Sequence, residues 1–199
     1  MVTEVTIATS NAGKVREIAS SLADLKFKCR SMADFDIDSP EENGTSFIEN
    51  ALIKAYHASA VSHLPALADD SGLVVPALDG APGIYSARYA GCNASDQENI
   101  DHLLKHMQGL KKEQRQAYFY CALVWVQHPK DPVPLVFCGR CEGEIVLEQS
   151  GSGGFGYDSV FYLPQLNKTM AQISMAEKNA LSHRGQALGK LKQYLLANG

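Results

Sequence analysis

The sequence predicts an α/β fold with a mixed central sheet flanked by helices. Short runs of β-branched and alternating apolar residues predict strands. Three Ser-x-x-Glu motifs, each followed by apolar residues at helical spacing, predict helices. Because the two kinds of segment are interleaved along the chain, their strands are expected to share one sheet. The 199 residues contain no internal repeat and indicate a single domain over residues 1–199.

The chain opens with a predicted strand, a turn and a helix. Val5–Thr9 alternates in polarity and is rich in β-branched residues, which is typical of a strand. The Asn11-Ala-Gly13 segment interrupts this pattern, and Val15–Leu25 then carries apolar residues at helical spacing. The first unit is therefore strand, glycine turn, helix.

Three capping boxes predict the starts of further helices. Their N-caps are Ser46, Ser95 and Ser174, followed three residues later by Glu49, Glu98 and Glu177. The first of these helices ends before Pro65 and is expected to bury Ile48, Ala51, Leu52, Ala55 and Ala58. A last helix is expected from about His183 to Leu196, capped by Ser182.

The remaining apolar segments predict the other strands of the sheet. They are Ala66–Ala68, Leu73–Val75, Gln116–Gln127, Leu135–Cys138 and Glu144–Leu147. The segment Gln116–Gln127 is apolar on both faces. Such a strand is covered on both sides, either by a central position in the sheet or by a partner subunit.

Composition and charge exclude several classes of protein. Hydrophobic residues make up 45% of the chain and charged residues 20%, as in ordinary globular proteins. The formal net charge of −4 argues against a surface that binds nucleic acid. The apolar stretch Cys121–Val126 is too short to span a membrane, and the N-terminus has no pattern of a secretory signal. Five cysteines without framework spacing suit a cytoplasmic protein, and Cys138 and Cys141 are expected as two thiols on neighbouring strands.

The segment Thr9-Ser-Asn-Ala-Gly-Lys14 is a candidate anion site at the junction of strand and helix. A helix N-terminus offers unpaired N–H groups, Gly13 would allow close approach, and Lys14 adds a positive charge suited to phosphate. The alternative is an ordinary strand-to-helix turn with a solvated lysine. These residues alone leave both interpretations open.

Two pairs of acids are candidate ligands for Mg²⁺. Glu41-Glu42 precedes a helix, and Asp69-Asp70-Ser71-Gly72 follows the short strand at Ala66–Ala68. Carboxylates at strand ends can hold this hard cation, and alternation along the backbone suggests that one member of each pair serves the site. The alternative is that Asp-Asp-Ser-Gly is a turn without catalytic meaning.

A glycine-rich segment near the C-terminus is a candidate base-binding loop. Gly153-Gly-Phe-Gly-Tyr-Asp158 is followed by Lys178 and by Ser182-His-Arg184. An aromatic ring in such a loop can stack on a base, and Arg or His can contact base edges or phosphates. His102 and His106, four residues apart, are expected to be surface histidines.

Six motifs in order give the chain a resemblance to a known family. They are Ala8-Thr-Ser-Asn-Ala-Gly-Lys14, Gly44-Thr-Ser-Phe-Ile-Glu-Asn-Ala51, Ala68-Asp-Asp-Ser-Gly-Leu73, Gly80-Ala-Pro-Gly-Ile-Tyr-Ser-Ala-Arg-Tyr-Ala-Gly91, Gly153-Gly-Phe-Gly-Tyr-Asp158 and Glu177-Lys-Asn-Ala-Leu-Ser-His-Arg184. Together they resemble the inosine triphosphate pyrophosphatases, the dITP/XTP pyrophosphatases that remove non-standard purine nucleotides. The resemblance implies an elongated sheet with two lobes around a nucleotide-binding cleft, and a homodimer. It also implies Mg²⁺-dependent hydrolysis of a purine nucleoside triphosphate to the monophosphate and pyrophosphate.

The resemblance also assigns roles to individual residues. It implies that Asp70 accepts a proton and, with Glu41, holds Mg²⁺, that Ser71 contacts the substrate, and that Lys54 lies near the phosphates. The residues implied to bind the triphosphate are Thr9, Ser10, Asn11, Ala12, Gly13 and Lys14. Those implied to surround the nucleoside are Phe155, Gly156, Tyr157, Asp158, Lys178, His183 and Arg184.

Two positions depart from the pattern of the family, and two alternative functions remain to be compared with the one that the resemblance implies. Ser10 stands where many relatives have Gly. Ser159 stands where Pro is usual, which puts the rigidity of the base loop in question.

The first alternative function is a nucleotide-binding sensor, which would bind the nucleotide in the same pocket without hydrolysing it. Such a sensor could do without Glu41 and Asp70, and both are present. A pyrophosphatase for modified pyrimidines is the other alternative, and the Ser-His-Arg segment counts against it.

Overall fold

The computed structural model describes residues 3–25 and 27–198, and these contain a seven-stranded mixed sheet. The strands are β1 (Thr3–Ala8), β2 (Phe27–Ser31), β3 (Ala66–Val74), β4 (Gln116–Val126), β5 (Leu135–Ile145), β6 (Phe161–Leu163) and β7 (Lys168–Thr169). Their order in the sheet is β2-β1-β3-β4-β5-β6-β7. β1 pairs in parallel with β2 and β3, whereas β6 pairs antiparallel with β5 and β7. The predicted α/β fold with a mixed sheet is confirmed.

The helices are α1 (Ala12–Leu22), α2 (Phe47–Ser62), α3 (Asp96–Met107), α4 (Met175–Leu181) and α5 (His183–Asn198). All three predicted capping boxes form, at the N-termini of α2, α3 and α4. α1 begins three residues before the predicted Val15, because the side chain of Asn11 caps it by accepting from the N–H of Lys14. No helix within the described ranges is long and apolar enough to cross a membrane.

The prediction that Ile48 is buried is wrong. Ile48 is 36% exposed, and α2 instead buries Ala51, Ala55 and Ala58 together with four polar residues, which are Asn50, Lys54, Ser59 and Ser62. The buried face of α2 is therefore partly polar, and it places Ile48 at its margin in the first turn. An apolar pattern alone could not identify this face, because four of its positions carry polar side chains.

Two pairs of predicted strands are each one continuous strand. β3 runs through Asp69–Gly72, so the interpretation of these residues as a turn is wrong. β5 runs through Cys138 and Cys141, so these thiols lie on one strand and not on neighbouring strands. In the described part of the chain, no group of three or more His, Cys, Asp or Glu residues is arranged to hold a metal ion. The short strands β2, β6 and β7 were not predicted from the sequence.

The chain divides into two compact units, each with its own apolar core. Unit 1 comprises Met1–Asp70, Cys121–Gly139 and Arg184–Gly199, and unit 2 comprises Ser71–Tyr120 and Arg140–His183. The core of unit 1 packs side chains of β1, α1 and α5 with Trp125 of β4, whereas that of unit 2 packs α3 with Phe119 and Phe161. The expected cleft stays a prediction.

The central position of β4 accounts for its apolar pattern. β4 lies between β3 and β5, and all of its residues from Cys121 to Val126 are buried. Both faces of a central strand are covered by other elements of the same chain. The pattern therefore needs no partner subunit to explain it.

Candidate active site

The predicted anion site forms at the start of α1. The hydroxyl of Thr9 accepts from the N–H of Asn11, and Asn11 caps the helix. Ser10, Asn11 and Ala12 are exposed, so the first turn of α1 faces solvent with its unpaired N–H groups and its positive dipole end. The segment from Thr9 to Gly13 is therefore accessible to an anion.

Lys14 is anchored and not a freely solvated lysine. Its ammonium lies 2.5 Å from a carboxylate oxygen of Asp69, and its side chain is only 14% exposed. A lysine held by one buried carboxylate keeps a fixed position and can still offer its other N–H donors to a phosphate. This arrangement favours the phosphate-binding interpretation of the segment over the ordinary turn.

Asp69 is the centre of a buried group of charges in unit 1. Its carboxylate accepts from Nε of Arg184 at 3.1 Å and from the thiol of Cys121 at 3.0 Å, in addition to its ion pair with Lys14. Arg184 also forms a short ion pair with Glu17. Burial by itself would raise the pKa of Asp69, but the charges of Arg184 and Lys14 hold it well below its usual range. Asp69 is thus a permanent anion.

Asp70 has a different environment, although it is the next residue. It is 6% exposed, and one of its oxygens accepts from the ammonium of Lys54 at 2.7 Å. Its Oδ2 is buried without a hydrogen-bond partner among the described residues. Burial raises the pKa of Asp70 by more than Lys54 lowers it. This carboxylate can therefore take up a proton more readily than an ordinary aspartate.

Lys54 joins Asp70 to the acidic pair that precedes α2. Its ammonium lies 3.1 Å from Oε1 of Glu42, whereas Glu41 is exposed. Burial lowers the pKa of Lys54, but Asp70 and Glu42 together raise it above its usual value. The pKa values of Lys54 and Asp70 both rise because the lysine has two carboxylates beside it, while the aspartate has one direct cation.

The residues around Asp70 fit a magnesium ion. The unpartnered Oδ2 of Asp70 is a buried hard oxygen donor, and Mg²⁺ binds through one or two carboxylates while keeping several waters. Asp69 is less suited to this role, because both of its oxygens already accept from cationic side chains. Of the acids before α2, Glu42 is paired with Lys54, whereas Glu41 is exposed. The role of Glu41 as the second ligand stays a prediction.

A second group of predicted residues forms a loop in unit 2. The carboxylate of Asp158 accepts from the N–H of Phe155 at 3.0 Å and from the ammonium of Lys178 at 2.7 Å. That ammonium lies 4.6 Å from the centroid of the Phe155 ring. A Cβ at Gly154 would lie 2.0 Å from the Asp158 carboxylate, so this position requires glycine. Phe155, Asp158 and Lys178 are thus brought together.

Other contacts fix the shape of this loop. Tyr157 is buried, and its hydroxyl donates to the carbonyl of Ser86 at 2.8 Å. Ser159, at the position where the family usually has Pro, donates to Gln149 at 3.0 Å, and its carbonyl accepts from the N–H of Ser150. These bonds tie the two ends of the loop together. The rigidity that Ser159 put in question therefore has other support.

The remaining predicted residues lie in separate surroundings. His183 is buried and stacks on Phe119, with ring centroids 4.8 Å apart. Ser71 follows Asp70 in β3 and is half-buried. Arg184, which the resemblance assigns to the nucleoside, donates to Asp69 and Glu17 in unit 1. Its contact with a nucleoside stays a prediction.

The comparison with known proteins is consistent with this arrangement. Residues 5–194 match the model of the Ham1 family. This chain belongs to the Ham1 family. It is 55% identical over 185 residues to the dITP/XTP pyrophosphatase of Pectobacterium atrosepticum, an alignment covering 93% of this chain and 94% of that protein. It is 53% identical over 196 residues to the enzyme of the same name from Escherichia coli, covering 98% and 99%.

Solved structures of Ham1 proteins have the same fold as this chain. The HAM1 protein of Coxiella burnetii superimposes with a TM-score of 0.91 at 44% identity and covers 98% of this chain and 99% of its own. The Ham1 protein of Staphylococcus aureus gives a TM-score of 0.87 at 39% identity, covering 99% and 100%. The family predicted from the six sequence motifs is therefore confirmed.

Two residues of this Ham1 chain that contact the site were not identified from the sequence. Glu17 lies within α1 and is buried against Arg184, and Cys121 lies in β4 and donates its thiol to Asp69. A charged residue inside a helix and a cysteine inside an apolar strand give no local signal of these contacts. Burial and the charge of Asp69 raise the pKa of Cys121 well above its usual value, so it stays a thiol donor.

Proposed function

We propose that this chain hydrolyses the non-standard purine nucleoside triphosphates ITP, dITP and XTP to the monophosphate and pyrophosphate. The names of its Ham1 relatives support this activity and this class of substrate. Removal of these nucleotides would keep them out of DNA and RNA. The observation that carries the proposal is the buried Asp70, whose Oδ2 has no hydrogen-bond partner among the described residues.

The triphosphate would bind in unit 1 at the N-terminus of α1. Unpaired N–H groups there favour an anion, and Lys14 adds a charge whose position Asp69 fixes. Because Asp69 keeps its negative charge, it holds Lys14 and Arg184 in place throughout the reaction. These contacts would thereby hold the phosphate chain in one defined orientation.

Asp70 would act as the proton acceptor for the attacking water. Burial raises the pKa of Asp70 in the metal-free protein. A bound Mg²⁺ would lower this pKa, so the proposed role as a base rests on the buried position of the carboxylate. Lys54 donates to one oxygen of this carboxylate and orients it. The other oxygen has no hydrogen-bond partner within residues 3–25 and 27–198 and is available to water or to a metal ion.

Asp70 and Glu41, with Glu42 as the alternative, would hold Mg²⁺. When bound, this ion neutralises phosphate charge and lowers the barrier to attack at phosphorus. A triphosphate close to several carboxylates would be repelled without such a cation. The loop of Phe155 and Asp158 would hold the nucleoside, with Lys178 beside the aromatic ring.

We further propose that the enzyme is a cytoplasmic homodimer. The resemblance to the family supports both properties, and the five free cysteines are compatible with a reducing compartment. The net charge of −4 supports a small anionic substrate handled by local donors, and not a nucleic acid or a membrane surface.

A nucleotide panel tests the proposed activity. The protein is incubated with ITP, dITP, XTP, ATP, GTP and modified pyrimidine triphosphates, with Mg²⁺ or with EDTA, and pyrophosphate and orthophosphate are measured separately. We expect pyrophosphate from ITP, dITP and XTP in the presence of Mg²⁺, and none in the presence of EDTA. Release of orthophosphate would contradict the proposed cleavage, and binding without any product would support the sensor. Faster cleavage of a modified pyrimidine would support the other alternative.

A further inference from the structure

Asp96 contacts the nucleoside loop, which we define as Phe155 to Asp158. The carboxylate oxygen Oδ2 of Asp96 accepts from the N–H of Gly156 at 2.7 Å. Asp96 is the first residue of α3 and lies 60 residues before Gly156 in the chain. Both residues belong to unit 2, and no sequence motif connects them.

The N-terminus of α3 does not depend on the Asp96 side chain for its cap. Ser95 accepts from the N–H of Glu98, and Glu98 accepts from the N–H of Ser95 at 2.7 Å. The capping box is therefore complete without Asp96. The Asp96 carboxylate is left for the nucleoside loop, although its charge at this helix position is also favourable.

Gly156 needs this bond because of its place in the loop. Its backbone has φ of +57°, a conformation that favours glycine. Because glycine has no side chain, its backbone is flexible when no contact holds it. On either side, Phe155 is fixed by Asp158 and Tyr157 by Ser86. The bond to Asp96 fixes the backbone between these two anchors.

We propose that Asp96 is a positioning residue for nucleoside recognition. It holds the Gly156 backbone, and through it the Phe155 ring, in the binding conformation before substrate arrives. The inference rests on the proposed function, because it takes the nucleoside loop as the base-binding element. A charge-assisted hydrogen bond to a backbone N–H is strong enough to shift a loop between ordered and open states.

This role predicts an effect on KM and not on kcat. If the loop opens in the free enzyme, the apparent affinity falls by the fraction of molecules that stay competent to bind. The bound nucleoside closes the loop again, so the chemical step proceeds as before. A loss of binding that is the same in ground state and transition state raises KM alone.

The test compares Asp96→Ala, Asp96→Asn and Gln97→Ala in the full-length protein. We expect Asp96→Ala to raise KM for ITP about tenfold, with kcat within about twofold of wild type. Asp96→Asn keeps an acceptor oxygen and is expected to stay within about threefold of the wild-type KM. Gln97→Ala, on the same exposed turn of α3, should match wild type. Calorimetric binding of IMP should follow the same order as KM.

Several results would overturn the inference. If Asn and Ala at position 96 raise KM equally, the lost helix charge explains the effect and the loop anchor does not. An unchanged KM in Asp96→Ala, or a fall in kcat alone, would also refute it. Failure of the proposed function would appear separately, as absence of ITP hydrolysis by the wild-type protein. IMP binding to the three variants would then still decide the role of Asp96.

Discussion

Replacement of Asp70 by Asn is expected to remove activity without a matching loss of stability. If Asp70 is the general base, its loss should lower kcat for ITP by about 10²–10⁴-fold. The melting temperature at pH 8 should stay within about 2–4 °C of the wild-type value or rise above it. For a chain of this length, this range corresponds to a change of about 1 kcal/mol in the free energy of unfolding. Asparagine keeps an oxygen that can accept from Lys54, and Lys54 keeps its contact with Glu42.

The expected stability follows from the pKa of Asp70. Burial raises this pKa in the folded state, so the protonated form is favoured there. The associated stability is complete below the ordinary aspartate pKa of about 3.9 and is lost as the pH rises through the raised value. At pH 8 the wild type therefore contains a buried charge that Asn lacks. Any advantage of Asp70→Asn should disappear as the pH falls below about 4.

Asp69→Asn provides the matched control, because the same change one residue earlier should have the opposite effect. Arg184 and Lys14 hold the pKa of Asp69 low, so its contribution is present at neutral pH and is lost only as the pH falls through that low value. Breaking this buried group is expected to cost roughly 3 kcal/mol. That corresponds to about 6–12 °C in melting temperature.

Pyrophosphate release and thermal melting from pH 3 to 9 measure both effects. Full activity of Asp70→Asn would remove Asp70 from the mechanism. A drop in melting temperature as large as that of Asp69→Asn would refute the inferred difference between the two carboxylates. The combination of lost turnover and retained stability is the result that the structure predicts.

Three further predictions concern phosphate, metal and assembly. Lys14→Ala should weaken the binding of ITP by about tenfold or more, and that of IMP by less, because the monophosphate carries less charge. Lys111→Ala, at an exposed position, is the control. Equal weakening of ITP and IMP binding would exclude Lys14 as the phosphate lysine. Glu41→Gln should raise the Mg²⁺ concentration for half-maximal activity more than Glu42→Gln, because Glu42 is already paired with Lys54 at 3.1 Å, and the reverse order would make Glu42 the ligand. Sedimentation should give a dimer of the 21.6 kDa chain at micromolar concentration, and a monomer would contradict the proposed assembly.

The features that local sequence determines were predicted well. Ser46, Ser95 and Ser174 each start a helix, because the cap and its partner are only three residues apart. The phosphate segment is also local, since Asn11 caps the helix that contains Lys14. Within this class, the start of α1 was placed three residues late, and Ile48 was wrongly expected to be buried.

The features that depend on distant contacts were not predicted. Asp-Asp-Ser-Gly has turn chemistry, yet Asp69 lies in a strand because Lys14 and Arg184 neutralise its buried charge. Arg184 is 115 residues away in the chain, so no local pattern contains this information. The tertiary ion pairs override the turn propensity.

Gly143 lies within β5, between the two segments that were predicted as separate strands, and a distant contact accounts for it as well. A Cβ at Gly143 would lie 2.6 Å from the ring of Phe161 in β6, so the absent side chain allows a close approach between strands. Arg140 stacks over Tyr118 of β4 at 3.5 Å from the ring centroid. Residues that weaken strand propensity are thus compensated by contacts with neighbouring strands.

The strand conformation is what allows two consecutive aspartates to do different work. Alternation along β3 points Asp69 and Asp70 in opposite directions, so Asp69 directly contacts Lys14 and Arg184, whereas Asp70 directly contacts Lys54. Asp69 is held by Arg184 and Lys14 and keeps its charge, while Asp70 is more weakly compensated and can accept a proton. In a solvated turn both carboxylates would have ordinary pKa values. Asp69 would then lack the contacts that fix its position, and Asp70 would lack the burial that raises its pKa, so the difference between the two carboxylates depends on burying both in one strand.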